Sequence, residues 1–367
     1  MKCACVVLSN RISTDSAGLR AVMRAFQSNG FPFDEIRVFA ETDEVRVKSA
    51  LSILKEEFGA LVLLCEKAAL ARANEYLAGI FDISALRGSY GGACIYETAT
   101  TCLFLLSADG SQTGTEYALN ACVPFLRQKS GVRCDKLVIR TVGASQARSA
   151  ALLAEAQSMG GEYLQCYHSY RHGEDVVEIS YNQAAPKMLI DDVLRLLMDG
   201  FGDTVYAIND VTLEEQLVNL LKLRRRKISV AESFTGGGIA RRITSVSGAS
   251  EVYFEGLNTY DSRSKIKRLG VLEQTINTMG AVSEQTAYEM AYGLLKTGDC
   301  DVSLATTGLA GPHTDESGLP VGLCYLAVGF QDKVFVYRYK FDGTREDITQ
   351  TAINYALYLA YKRLKDL

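Results

Sequence analysis

Residues 231–242 read AESFTGGGIARR. The apolar run Ile228–Val230 precedes them, and a helix-patterned segment, Gly238–Val246, follows. A strand, a glycine-rich turn and a helix in that order form the junction at which an open α/β sheet holds its ligands. Ser233 then has two readings. It is a helix cap, because a Ser side chain accepts from the unpaired N–H groups of a first turn. Or it is a nucleophile over an anion-binding turn, because glycines let a ligand approach those same N–H groups.

Two further stretches repeat the pattern. NTYDSRSKIKRLGV (258–271) sets Tyr260 at the end of a predicted strand and Lys265 just after it. SLATTGLAGPHTD (303–315) ends a strand at Thr307 and runs into a Gly/Pro loop. The strands of this part are predicted at Ile228–Ala231, Val252–Tyr260, Val302–Thr307, Gly322–Phe330 and Val334–Phe341. Thr212, with Glu215 three residues on, marks a capping box that opens this unit after a boundary at Asn209–Thr212. Ligands of such sheets lie at the carboxyl ends of the strands, where these polar turns fall.

Upstream, strand and helix patterns alternate. Strands are expected at Cys3–Leu8, Ile36–Phe39, Ala60–Cys65 and Cys102–Leu106. Helices are expected over Ser16–Asn29, Asp43–Phe58 and Glu116–Arg127. In the second helix Val45, Val47, Leu51, Ile53 and Leu54 are available for the inner face. Short apolar strands alternating with helices imply a parallel sheet covered on both faces. Between the two α/β parts, strands at Lys136–Arg140, Tyr163–Tyr170, Val176–Tyr181 and Thr204–Ile208 enclose helices at Ala144–Met159 and Met188–Met198. That β-α-β-β-α-β order describes a small α+β unit. Three domains follow: 1–132, 133–209 and 210–367.

The chain has 367 residues, 48% of them hydrophobic, which is ample for more than one core. A net charge of −4 argues against a general nucleic-acid binder. The basic run Lys222–Lys227 reads as a solvated helix end, where cations offset the helix dipole. Ten cysteines are scattered through apolar runs without CxxC or zinc spacing, which fits free thiols in the cytoplasm. No segment is long and apolar enough to span a bilayer, so no membrane partner is expected.

In order, AESFTGG, YDSRSK, GAVSEQTAYEMA (280–291), TTGLAGP (306–312), LPVG (319–322) and FDGTRED (341–347) resemble the carboxyl-terminal domain of CinA proteins, the nicotinamide-nucleotide amidohydrolase family. The likeness runs over about Leu213–Leu367. It implies an α/β/α domain that hydrolyses the amide of nicotinamide mononucleotide (NMN) to nicotinate mononucleotide and ammonia, without metal or cofactor. It implies Ser233, Tyr260 and Lys265 as catalytic residues, and a homodimer. Ser233 needs a base, and Lys265 serves if burial lowers its pKa. Tyr260 is placed to relay the proton or orient the amine. The substrate-binding candidates are Glu232, Thr235, Gly236 and Gly237 around the nucleophile, with N–H groups of the TGG turn on the amide oxygen. Thr307, Gly308, Ala310, Gly311 and Arg345 are candidates for the nucleotide end. Arg345 also reads as a surface ion pair with Glu346 or Asp347. The likeness breaks at Phe234, where the family has cysteine, and Phe234 either reshapes the pocket floor or points into the core. It also breaks at HTDESGL (313–319), which lacks the family's glycine pair.

The domain order resembles that of full-length CinA: a molybdopterin-binding-like three-layer α/β domain, then a KH-like unit. The family's Gly-Gly-Leu-Gly-Pro-Thr loop after the third strand is replaced here by CEKAALARAN (65–74), and its early Gly-Thr-Glu loop by SNRISTDS (9–16). Without those glycines the backbone is kept from a phosphate, and without the following carboxylates a Mg²⁺ site is not evident. The first domain is therefore expected to keep the fold, lose the ADP-ribose pyrophosphatase activity of some relatives, and serve as a structural or dimerisation module. Against the amidohydrolase stand two other readings. One is a non-catalytic nucleotide-binding or regulatory protein. The other is a role in DNA uptake or damage response, which the acidic balance disfavours.

Overall fold

The structure is a computed structural model describing residues 1–9, 17–90, 92–107, 112–131, 134–314 and 318–366. Most of SNRISTDS, the centre of HTDESGL and the expected boundary at 132–133 lie outside the described residues.

Strands β1 (Cys3–Leu8), β2 (Phe33–Phe39), β3 (Ala60–Cys65), β4 (Ala85–Tyr90), β5 (Ala93–Glu97) and β6 (Cys102–Ser107) form one sheet in the order β2-β1-β3-β6-β5-β4. The first four in that order are parallel, and β5 and β4 add on antiparallel. Alternate residues of β1 enter different cores. Cys3, Cys5 and Val7 pack with α1 (Ala17–Gln27) on one side, and Ala4, Val6 and Leu8 with α2 (Glu44–Glu57) and α3 (Leu70–Ile80) on the other. Such double coverage explains why the central strands β1, β3 and β6 are buried along their whole length. On the α1 side a π-helical stretch, Ala118–Cys122, joins α4 (Gln112–Tyr117) to α5 (Val123–Ser130).

Two expectations are corrected here. The sheet is mixed, because the hairpin of β4 and β5 adds antiparallel to β6; Arg87, Gly88 and Ser89 in β4 hide that hairpin in the sequence. The inner face of α2 is Val47, Ala50, Leu51 and Leu54, at helical spacing, whereas Val45 and Ile53 are exposed. Ala50 belongs to that stripe despite its size.

The middle segment runs β7 (Cys134–Val142), α6 (Gln146–Gly160), β8 (Leu164–Arg171), β9 (Glu174–Asn182), α7 (Lys187–Phe201) and β10 (Val205–Ala207), with sheet order β10-β7-β9-β8. The β8–β9 turn is His172-Gly173, both at positive φ (51° and 74°), the geometry of a tight hairpin turn. The chain divides into two compact units. One comprises Met1–Leu137, Gln157–Tyr167 and Glu178–Val193; the other Val138–Ala156, His168–Val177 and Leu194–Leu367.

In the second unit α8 (Leu213–Leu223) opens on the Thr212–Glu215 capping box. Next come β11 (Ile228–Glu232), α9 (Gly238–Thr244), β12 (Tyr253–Asn258), α10 (Ser262–Leu269), α11 (Glu273–Met279) and α12 (Glu284–Lys296). β13 (Val302–Gly308), β14 (Leu323–Phe330), β15 (Lys333–Lys340) and α13 (Arg345–Lys365) complete it. The sheet order is β12-β11-β13-β14-β15, the first three parallel and the rest antiparallel. Helices α8, α9 and α13 share a core with Ile228 and Val230 of β11, while α12 shares one with Ala231. The basic run at the end of α8 is taken up locally: Lys222 pairs with Glu251, Arg226 with Asp301, and Lys227 lies over the Phe254 ring.

The ten cysteines are free, seven of them buried. Among the described residues no helix is long and apolar enough to cross a membrane, and no cluster of metal-binding side chains occurs. Phe234 belongs to the core of α8, α9 and α13 and is 5% exposed, which settles its direction. Phe234→Cys, which restores the family residue, is therefore expected to destabilise the fold by about 3 kcal/mol through the cavity it leaves, read as a lower urea midpoint.

Candidate active site

β11 lies between β12 and β13, and all three end at the same edge of the sheet. Beyond the strand ends the chain stays tied on both sides. Thr259 N–H donates to the Glu232 carbonyl (2.7 Å), and Ser233 N–H to the Thr306 carbonyl (3.1 Å). The Thr235 and Thr306 hydroxyls meet at 2.8 Å. Ser233 is thus held in place by its neighbours before any ligand arrives.

The turn after Ser233 is built around Glu232. This carboxylate is 1% exposed. It accepts from the N–H groups of Gly237 (3.1 Å), Ile239 (3.1 Å) and Ala240 (2.8 Å), so it caps α9 from the end of β11. The helix N-cap is Gly237, with φ 95°, after Gly236 at φ 62°. Glycine is needed at both for that left-handed path. Two sequence readings are corrected. Ser233 is not the helix cap, because Glu232 takes that place. Nor are the N–H groups of Gly236 and Gly237 open to a substrate, because they donate to the Ser233 carbonyl and to Glu232. Among the described residues the N–H groups of Phe234 and Thr235 have no acceptor within the chain. They are the donors left for an oxyanion.

Lys265 comes from α10. Asp261 caps that helix by accepting from Arg263 N–H at 2.8 Å, and Lys265 projects from the first turn, 1% exposed. Its Nζ lies 3.0 Å from Ser233 Oγ, 2.7 Å from the Thr259 carbonyl and 3.2 Å from the Tyr260 carbonyl. Two carbonyls occupy two N–H donors, and the third direction points at the serine. Burial lowers the Lys265 pKa from 10.5 to about 8, with the Asp261 carboxylate opposing the shift. The folded state therefore releases a proton that the unfolded chain keeps between pH 8 and 10.5. The penalty of the buried charge is present below that window and fades as pH rises through it.

The remaining candidates are spread around this pair. Tyr260 joins it through its carbonyl only; its side chain is 61% exposed, and its hydroxyl accepts from Arg345 Nη2 at 3.1 Å. Arg345 Nη1 donates to the Gly311 carbonyl at 2.7 Å. The Glu346 or Asp347 pair weighed for Arg345 is not what it makes. Thr307 is turned to the Ala281 carbonyl (2.7 Å). Gly308 closes β13 against Cys324, where a Cβ would come within 2.5 Å of that side chain. Ala310 is buried, and Thr235 is anchored on Thr306.

Sequence reasoning missed Asp261 and Thr259. The signal for Asp261 was an Asp directly before a helical pattern that carries the lysine. A backbone carbonyl such as that of Thr259 leaves no such mark.

A serine hydroxyl facing a buried amine at the carboxyl edge of an open α/β sheet defines the class: a Ser–Lys site. Residues 210–364 match the family model described as CinA C-terminal domain. A CinA-like protein of Kosmotoga olearia is 31% identical over 284 residues, covering 76% of this chain and 68% of that protein. The chain belongs to the CinA family. A CinA superfamily crystal structure from Escherichia coli is similar at 31% identity, covering 44% of this chain and 95% of that one, with TM-score 0.40. The molybdopterin biosynthesis moea protein of Pyrococcus horikosii is similar over 38% of this chain and 40% of its own, at 12% identity and TM-score 0.27. The chain spans less than half the length of several other curated relatives it matches.

Asp261→Asn keeps the helix cap and removes the charge that holds the Lys265 pKa up. Lys265 is expected to titrate at lower pH in that variant than in the wild type, followed by NMR of the lysine side chain.

Proposed function

We propose that the chain is an amidohydrolase acting on NMN, with Ser233 as nucleophile and Lys265 as its base. The observation that carries this is the buried Lys265 Nζ, 3.0 Å from Ser233 Oγ, with its other donors spent on carbonyls. A lysine with its pKa brought down to about 8 is substantially neutral near pH 8. In that form its lone pair accepts the Ser233 proton as Oγ attacks the amide carbon. The tetrahedral oxyanion then falls to the N–H groups of Phe234 and Thr235. The protonated Lys265 returns its proton to the departing ammonia, leaving an ester on Ser233. Water, activated by the same amine, hydrolyses that ester.

Tyr260 and Arg345 belong to the substrate end in this reading. Arg345 is exposed at the start of α13, and its fork is the chain's match for a phosphate. Tyr260 acts through its carbonyl on Lys265 and its hydroxyl on Arg345, which makes it a link between the two ends. Glu232 and the Thr235 side chain hold the turn, and Thr235 meets substrate through its N–H alone. The resemblance also supports a cytoplasmic homodimer and the three-domain division at 132 and 209. It leaves the first domain a structural module.

Purified protein is expected to release ammonia from NMN without added metal. Ser233→Ala and Lys265→Arg should each lower kcat by at least about a thousandfold, since arginine stays charged and cannot act as base. Wild-type binding of NMN without ammonia release would favour the regulatory reading instead. Unchanged activity in Ser233→Ala would remove the nucleophile.

A further inference from the structure

The His172-Gly173 turn between β8 and β9 rests on α13 at three points. His172 Nε2 lies 3.2 Å from Asp347 Oδ1. Asn354 Nδ2 donates to the His172 carbonyl at 2.9 Å. Gly173 lies so close to the Tyr355 ring that a Cβ there would sit 2.7 Å from Cε2. The second and third contacts fix the middle of α13, and the first fixes its opening turn.

Asp347 has a second task. Its Oδ2 accepts from Thr344 N–H at 3.0 Å, while the Thr344 hydroxyl accepts from Asp347 N–H at 3.2 Å, closing the capping box of α13. Arg345 lies inside that box. From there its guanidinium reaches Gly311 and the Tyr260 hydroxyl. One carboxylate therefore joins the hairpin tip to the turn from which Arg345 leaves. A cleft of about 360 Å³, lined in part by Arg171, His172, Arg242, Glu346 and Gln350, runs beside the contact. Ile348 ties the first turn of α13 to the core and the capping box closes it; on the side facing this cleft, His172 reaches Asp347 from the hairpin tip.

We infer that the His172-Gly173 turn is a positioning element of the active site: by holding Asp347 it fixes the first turn of α13 and the aim of Arg345 at Tyr260 and Gly311. This rests on the reading that Arg345 meets the phosphate end of the substrate. The hairpin tip is then a brace for the site, and substrate affinity depends on residues far from the Ser–Lys pair in sequence.

His172→Asn tests this in the full chain. Asparagine tolerates the left-handed backbone at 172 but is too short to reach Asp347. With NMN it is expected to raise KM about tenfold and leave kcat within about twofold. His172→Gln, whose amide reaches further, should recover most of that KM. Any hydrolysis of nicotinamide riboside, which has no phosphate, should be the same in all three proteins. Equal KM values in wild type and His172→Asn, or an equal loss on both substrates, would overturn the inference. Amide hydrogen exchange over residues 342–350 gives a reading that needs no turnover. Faster exchange in His172→Asn supports the brace, and unchanged exchange rejects it. If wild type proves inactive on NMN, the amidohydrolase reading fails while exchange still decides the brace.

Discussion

One buried amine organises the carboxyl-terminal site. Lys265 is almost wholly withdrawn from solvent, and an ammonium there is costly unless its donors are met. Two carbonyls just past β12 meet two of them, and Ser233 meets the third. The arrangement tolerates both charge states. As an ammonium, Lys265 donates three times; as an amine, it donates twice and accepts from the serine. The Asp261 charge opposes the shift toward the neutral form. The ends of β11 and β12, the cap of α10 and the turn after Ser233 all serve to keep these three acceptors around one nitrogen.

The second constraint is the carboxylate of Glu232. An α-helix presents unpaired N–H groups at its start, and those groups attract any nearby anion. Here the chain supplies its own, one residue before Ser233. The helix terminus is thereby closed to ligands, and the Ser233 turn is anchored to the sheet. What stays open is the pair of N–H groups directly after the serine.

Much of this was legible in the residues. Regular spacing marked most strands and the helices α1, α2 and α5 to α9, the Thr212–Glu215 box marked the start of α8, and the polar strand ends marked the edge where Ser233 and Lys265 meet. The pairing of Ser233 with Lys265 rested on resemblance, since 31 residues separate them and only the sheet order brings them together. Side-chain direction was the least accessible. Glu232 and Phe234 flank the serine, and one turns to a helix terminus while the other enters the core. Tyr260 and Arg345 meet across 84 intervening residues. The β4–β5 hairpin escaped because Arg87, Gly88 and Ser89 break the strand pattern of β4 and β5 is only five residues long, placed by its pairing with β6.

The claim that matters most is that a neutral Lys265 takes the serine proton. The pH dependence of kcat/KM for NMN reports the free enzyme's essential base. The account predicts a rise of about tenfold per pH unit on the acid side, levelling off near pH 8, where burial has set Lys265. A profile that is flat or falling between pH 6 and 9 would contradict it.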